Sequence, residues 1–297
     1  MTEKEPESIN PFEKQMYSIE IAGKEDLPFL QIFGLTAENV FDALDLVRME
    51  CLVTETANYS IYTLGFLKQP TSKMLLELQG DIHQVGIWYK SSKIYYGAED
   101  DDIYLKPDGC YFDGARLQES MSLVKKGYCV VDKEDVFMAV VNADKNILLP
   151  LFEQFINETI NKQLKVIFEI QYTSAAIRPG FYTAPTTTET LRNYLFENHQ
   201  FLFNDGFISF GLANLTDQKQ LIINEHKYLE YCTEKDSAGV AEFKNLMHSF
   251  SIPEYEETNI RTIGNFGHIH INFKSKENEY EDLYKEIITA FELTEDN

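Results

Sequence analysis

The segment Gly267-His-Ile-His-Ile-Asn-Phe273 sets two metal-capable side chains two residues apart. Side chains alternate along a strand, so His268, His270 and Asn272 share one face while Ile269, Ile271 and Phe273 take the other. Two imidazoles so placed can share a metal ion or flank a phosphate. A metal also requires a third and a fourth ligand, and the remaining histidines, His83, His199, His226 and His248, have no reinforcing spacing. A carboxylate from Asp81 or Glu225 could complete the set. This defines an alternative reading: a metal-dependent hydrolase or phosphoesterase with a divalent ion as cofactor and His268 and His270 as its first ligands.

The other motifs are weaker. Gly206-Phe-Ile-Ser-Phe-Gly211 brackets Ser209 with glycines, but Ile208 stands where a nucleophile elbow needs a small residue. It reads as an ordinary strand entered through the turn Asn204-Asp205-Gly206. No dinucleotide fingerprint, phosphate loop or H-E-x-x-H element is present, and Asp100–Asp102 does not continue into a calcium loop. Cys51, Cys110, Cys129 and Cys232 form no C-x-x-C pair and read as free thiols. Cys232 would share a strand face with His226, Tyr228 and Glu230, an acidic setting that works against a thiolate nucleophile. No catalytic residue is assigned, and no cofactor outside the alternative reading.

Charge points elsewhere. The 297 residues carry 26 Lys+Arg against 48 Asp+Glu, a net charge of −22. Such a chain offers no electrostatic footprint for nucleic acid or anionic lipid. No apolar run is long enough to span a bilayer, and the start MTEKEPESINPFEK lacks the features of a secretory signal, so the expectation is a cytoplasmic protein. Aromatic and acidic residues crowd together at Trp88, Tyr89, Tyr95, Tyr96, Glu99, Asp100, Asp101, Asp102 and Tyr104. Rings supply buried area and carboxylates pair with Arg and Lys, so this stretch is the candidate partner-binding face. The leading expectation is a non-enzymatic binding or inhibitor protein of immunity or antitoxin type that sequesters a basic protein. Self-association is left unassigned.

The elements that must position these residues read as α+β: mixed, mostly antiparallel sheets with amphipathic helices packed on one face, and a β-rich N-terminal part. Tyr17–Ile21 alternates as a strand, and Thr36 can cap a helix with Val40, Phe41, Leu44 and Val47 on its stripe. Short β runs at 59–68, 73–79, 84–90 and 93–96 suggest an antiparallel meander, and Asp108-Gly109 and Asp113-Gly114 signal turns. Beyond them, strand, polar link and aromatic-rich helix recur near 135–162, 220–250 and 266–293, while 173–188 reads as a long loop. The expected division is an acidic β-rich domain over 1–115 and an α+β domain over 116–297.

Overall fold

A computed structural model describes residues 14–71, 74, 81–95, 104–114, 124–158, 164–170, 181–214, 216–235, 238–271, 282, 285–289 and 294–295. The chain divides into two compact units, Met1–Ala98 and Glu99–Asn297; the sequence reading placed the division at 115/116. The architecture is α+β, as expected, with antiparallel pairing in each strand pair described below.

In the N-terminal unit β1 (Gln15–Lys24) runs between β2 (Pro28–Ala37) and β3 (Tyr59–Leu67). Both β4 (Ile87–Lys90) and β5 (Ile94–Tyr95) pair with β2. The meander expectation is therefore corrected: among the described residues the runs after residue 58 pair with β1 and β2 rather than with one another, because the hairpin β1–β2 takes the centre of the sheet. Of the expected 73–79 strand, Met74 is helical and the rest lies outside the described residues. Helix α1 (Val40–Val53) packs on β1 and β2 through Ala43, Leu44, Val47 and Cys51. Its cap is Asn39, whose side chain accepts from the Phe41 and Asp42 amides, and not Thr36, which lies in β2 and accepts from Trp88 Nε1. An Asx side chain directly before the first turn reaches those orphan amides, whereas a residue three positions earlier is still in the strand.

The C-terminal unit holds an eight-stranded sheet in the order β15 (Thr294–Glu295), β10 (Phe181–Thr186), β9 (Leu164–Ile170), β11 (Ile208–Asn214), β12 (Lys219–Ile223), β13 (Leu229–Glu234), β8 (Val136–Asn142), β7 (Gly127–Asp132). Helices α2 (Leu148–Glu158), α3 (Thr188–Asn204) and α4 (Ala238–Ser249) bury their apolar stripes in one core with alternate residues of these strands. Phe152 lies 5.0 Å from Phe203 and 5.8 Å from Phe210, ring to ring, and Tyr231 stacks on Phe243 at 4.6 Å. Such pairs add about 0.5–1.5 kcal/mol each beyond area burial. The expected 173–188 loop is corrected in its second half, where residues 181–186 form β10 against β9; its earlier part lies outside the described residues. Two further strands of this unit, β6 (Cys110–Asp113) and β14 (His268–His270), pair with each other. Among the described residues no helix is long and apolar enough to cross a membrane.

Candidate metal centre

Strand pairing brings the first three side chains together. In the β6–β14 register His270 stands opposite Cys110 and His268 opposite Phe112. Directly opposed residues of an antiparallel pair share a face, and so do residues two apart, so His268, His270 and Cys110 all project to the same side. Ile269, on the opposite face, is half-buried. The fourth member, His226, arrives from the turn between β12 and β13. That turn is closed by Lys227 N to Asn224 O at 2.9 Å and Asn224 N to Tyr228 O at 3.1 Å, with Lys227 at φ +63°.

One ligating atom from each of Cys110, His226, His268 and His270 lies within 4.8 Å of every other, and Cys110 is buried beneath the three half-buried rings. The ring centroids form a nearly equilateral triangle with sides of 4.7, 4.8 and 5.0 Å. His226 Nδ1 and His270 Nε2 are 3.2 Å apart. An ion held at about 2.0–2.1 Å by tetrahedral nitrogens sets those nitrogens about 3.3 Å from one another. The spacing found is that of an N–H···N hydrogen bond and also matches two ligands on one ion.

Hydrogen bonds fix which nitrogens face inward. His268 Nδ1 donates to Phe266 O at 2.7 Å and His270 Nδ1 donates to Gly206 O at 2.6 Å. A carbonyl only accepts, so each Nδ1 carries the proton and each Nε2 keeps its lone pair, the orientation backbone acceptors impose on ligating histidines. Burial lowers the pKa of both His226 and His270 below the ordinary imidazole value, and neighbouring imidazoles add to it. For His226 and His270 this favours the neutral form, the one that binds metal.

The backbone around the cluster is packed to contact. A Cβ on Gly206 would stand 2.1 Å from Gly109 O and 2.8 Å from Ile271 O, and Gly109 sits at φ +89°. Only glycine fits where these chains cross. The crossing is sealed by Gly206 N to Ile271 O at 2.9 Å and Ile271 N to Gly109 O at 2.7 Å. It places Cys110, one residue on, beside His270 and supplies the Gly206 carbonyl that orients that ring.

Two buried lysines frame the thiol. Lys106 Nζ donates to Cys110 O at 2.8 Å, and Lys227 Nζ donates to Ile208 O at 2.8 Å. Burial pushes the Cys110 thiol up to about 12, and the charges of Lys106 and Lys227 work against that rise. Burial likewise pulls Lys227 down to about 8. A cation bound by sulfur would supply the further stabilisation a buried thiolate needs. A small space of about 10 Å³ beside Cys110, His226, Lys106 and Lys227 has room for about one water.

The sequence-derived pair His268 and His270 thus comes together, while Cys110 and His226 went unassigned; they lie 158 and 42 positions before His268, which leaves no spacing signal. Glu225, offered as a ligand, stands outside the ring, with Oε1 3.4 Å from His226 Nε2 and Oε2 accepting from Ser209 Oγ at 3.0 Å. Asp81 belongs to the N-terminal unit, where its backbone carbonyl accepts from Lys90 Nζ at 3.1 Å. Of the aromatic and acidic candidates, Tyr89 and Tyr104 are buried at 1% and 5% exposure and serve packing rather than a surface. Tyr95 is half exposed and donates to Glu25, and Trp88 is partly buried. Tyr96, Glu99, Asp100, Asp101 and Asp102 lie outside the described residues.

Fold and site together describe an α+β chain whose larger unit gathers one thiol and three imidazoles. No known protein family, curated protein or solved structure matches it.

Proposed function

We propose that the C-terminal unit binds one transition-metal ion of the zinc class through Cys110, His226, His268 and His270. The observation that carries this reading is the convergence of the four ligating atoms within 4.8 Å. One thiolate with three neutral imidazoles is a donor set suited to Zn(II), and four protein ligands fill a tetrahedron. A hydrolytic metal keeps a position open for water; here the ligand count supports a structural ion that ties β6, the β12–β13 turn and β14 together. Protein purified at full length without a histidine tag is expected to hold close to one equivalent of metal, which Cys110→Ser and His268→Ala lose. A wild-type chain that takes up neither Zn(II) nor Co(II) contradicts the proposal.

A second reading keeps a role for charge. A net charge of −22 favours fast association with a basic protein, as an inhibitor of immunity or antitoxin type would show. It is supported by composition and by the exposed ring of Tyr95. Its test is association that weakens steeply with added salt; salt-independent binding would count against it.

A further inference from the structure

The three imidazoles differ in what holds the nitrogen that faces away from the centre. For His268 and His270 that nitrogen is Nδ1, bonded to a backbone carbonyl. For His226 the arrangement is reversed: Nδ1 lies 3.2 Å from His270 Nε2, and Nε2 lies 3.4 Å from Glu225 Oε1. Glu225 is itself held, because its second oxygen accepts from Ser209 Oγ at 3.0 Å and Ser209 is buried in β11. A carboxylate only accepts, so once a cation takes the Nδ1 lone pair the His226 proton is left at Nε2, on the side that faces Glu225.

Resting on the metal reading above, we propose that the ion is bound by Nδ1 of His226, by Nε2 of His268 and His270 and by Sγ of Cys110, and that Glu225 is the positioning residue that sets this mixed pattern. The carboxylate fixes the ring's tautomer and raises its strength as a donor, while the Ser209 hydroxyl fixes the carboxylate. Glu225 precedes His226 directly, so the tight β12–β13 turn delivers ligand and orienting group as one unit.

The test uses the full-length protein with histidine-labelled nitrogen and one equivalent of Zn(II). Long-range proton–nitrogen correlations are expected to show two rings protonated at Nδ1 and one, absent in His226→Gln, protonated at Nε2. In Glu225→Ala zinc affinity is expected to fall about 10–100-fold and the His226 ring to lose its single tautomer, with the other two rings unchanged. Glu225→Gln and Ser209→Ala, which disturb packing less, are expected to weaken zinc binding by smaller factors. Three rings of the same kind in the loaded wild type, or unchanged affinity in Glu225→Ala, overturns the assignment and leaves the metal site standing. Should Glu225→Ala not fold, unchanged affinity in both milder variants overturns it. A wild-type chain that binds no zinc removes the underlying reading as well.

Discussion

Each unit of this molecule buries a polar cluster, and the two are built on opposite principles. In the N-terminal unit the Glu50 side chain, fully buried in α1, accepts from Lys90 Nζ at 2.8 Å, His83 Nδ1 at 3.1 Å, His83 N at 2.9 Å and Gln84 N at 3.1 Å. Both oxygens are taken, and the charge is matched by a buried ammonium. In the C-terminal unit the inward atoms are a sulfur and imidazole nitrogens, which lie within 4.8 Å of one another with no carboxylate among them. A charge matched by its donors makes a closed brace; a convergence of soft and imidazole donors makes the set that the proposed cation would complete. Buried polarity alone does not mark a candidate ligand site; the chemistry of the converging atoms is what separates the two clusters.

The comparison breaks most visibly at Glu50. Glu50→Ala leaves Lys90 buried without its carboxylate and is expected to cost about 3–5 kcal/mol in chemical denaturation, with metal content unchanged. A loss of metal in this variant would mean the two clusters are not separate in function. In the other unit Gly206→Ala forces a Cβ into Gly109 O, for an expected cost of about 1–3 kcal/mol together with weakened metal binding. Isothermal titration with Zn(II) checks the second half of that expectation.

Acid separates the clusters by pH. Burial lowers the pKa of His226 and His270, so their neutral forms stabilise the fold above the ordinary imidazole pKa, and that contribution is lost as pH falls below it. For Glu50 burial pushes up but the hydrogen bonds from Lys90 and His83 win, leaving the carboxyl below its usual pKa. Its contribution is present above the usual carboxylate value and lost only as pH falls through the lowered one. Metal release is therefore expected in mildly acidic buffer, with the Glu50 brace failing at distinctly lower pH. Near-ultraviolet circular dichroism and metal retention followed across the same titration read the two events. The smallest effect is expected at Asn39→Ala, where loss of an exposed helix cap costs about 1 kcal/mol and leaves both clusters intact.

Much of the fold could be read from local pattern. The stripe Leu151, Phe152, Phe155, Ile156 and the apolar run 136–142 specify α2 and β8 because burial repeats with the period of each element. The order of strands around β1 could not be read that way, since pairing partners are chosen by the whole sheet rather than by neighbours in sequence. The site was legible only in part. The His-x-His spacing is local and visible; the approach of Cys110 and His226 depends on β6 pairing with β14 and on the backbone crossing at Gly109 and Gly206. Both glycines carried a signal, as Asp108-Gly109 and Asn204-Asp205-Gly206, which reads from sequence as two separate turns. What sequence could not give is that the two turns touch.

The most direct measurement is the visible spectrum of the full-length, tag-free protein titrated with Co(II) under reducing, oxygen-free conditions. The account predicts saturation at one equivalent, with the ligand-field bands of a four-coordinate ion and a sulfur-to-metal charge-transfer band that Cys110→Ser abolishes. A spectrum of hydrated, six-coordinate Co(II) at every ratio, indifferent to Cys110 and to His226, would contradict it.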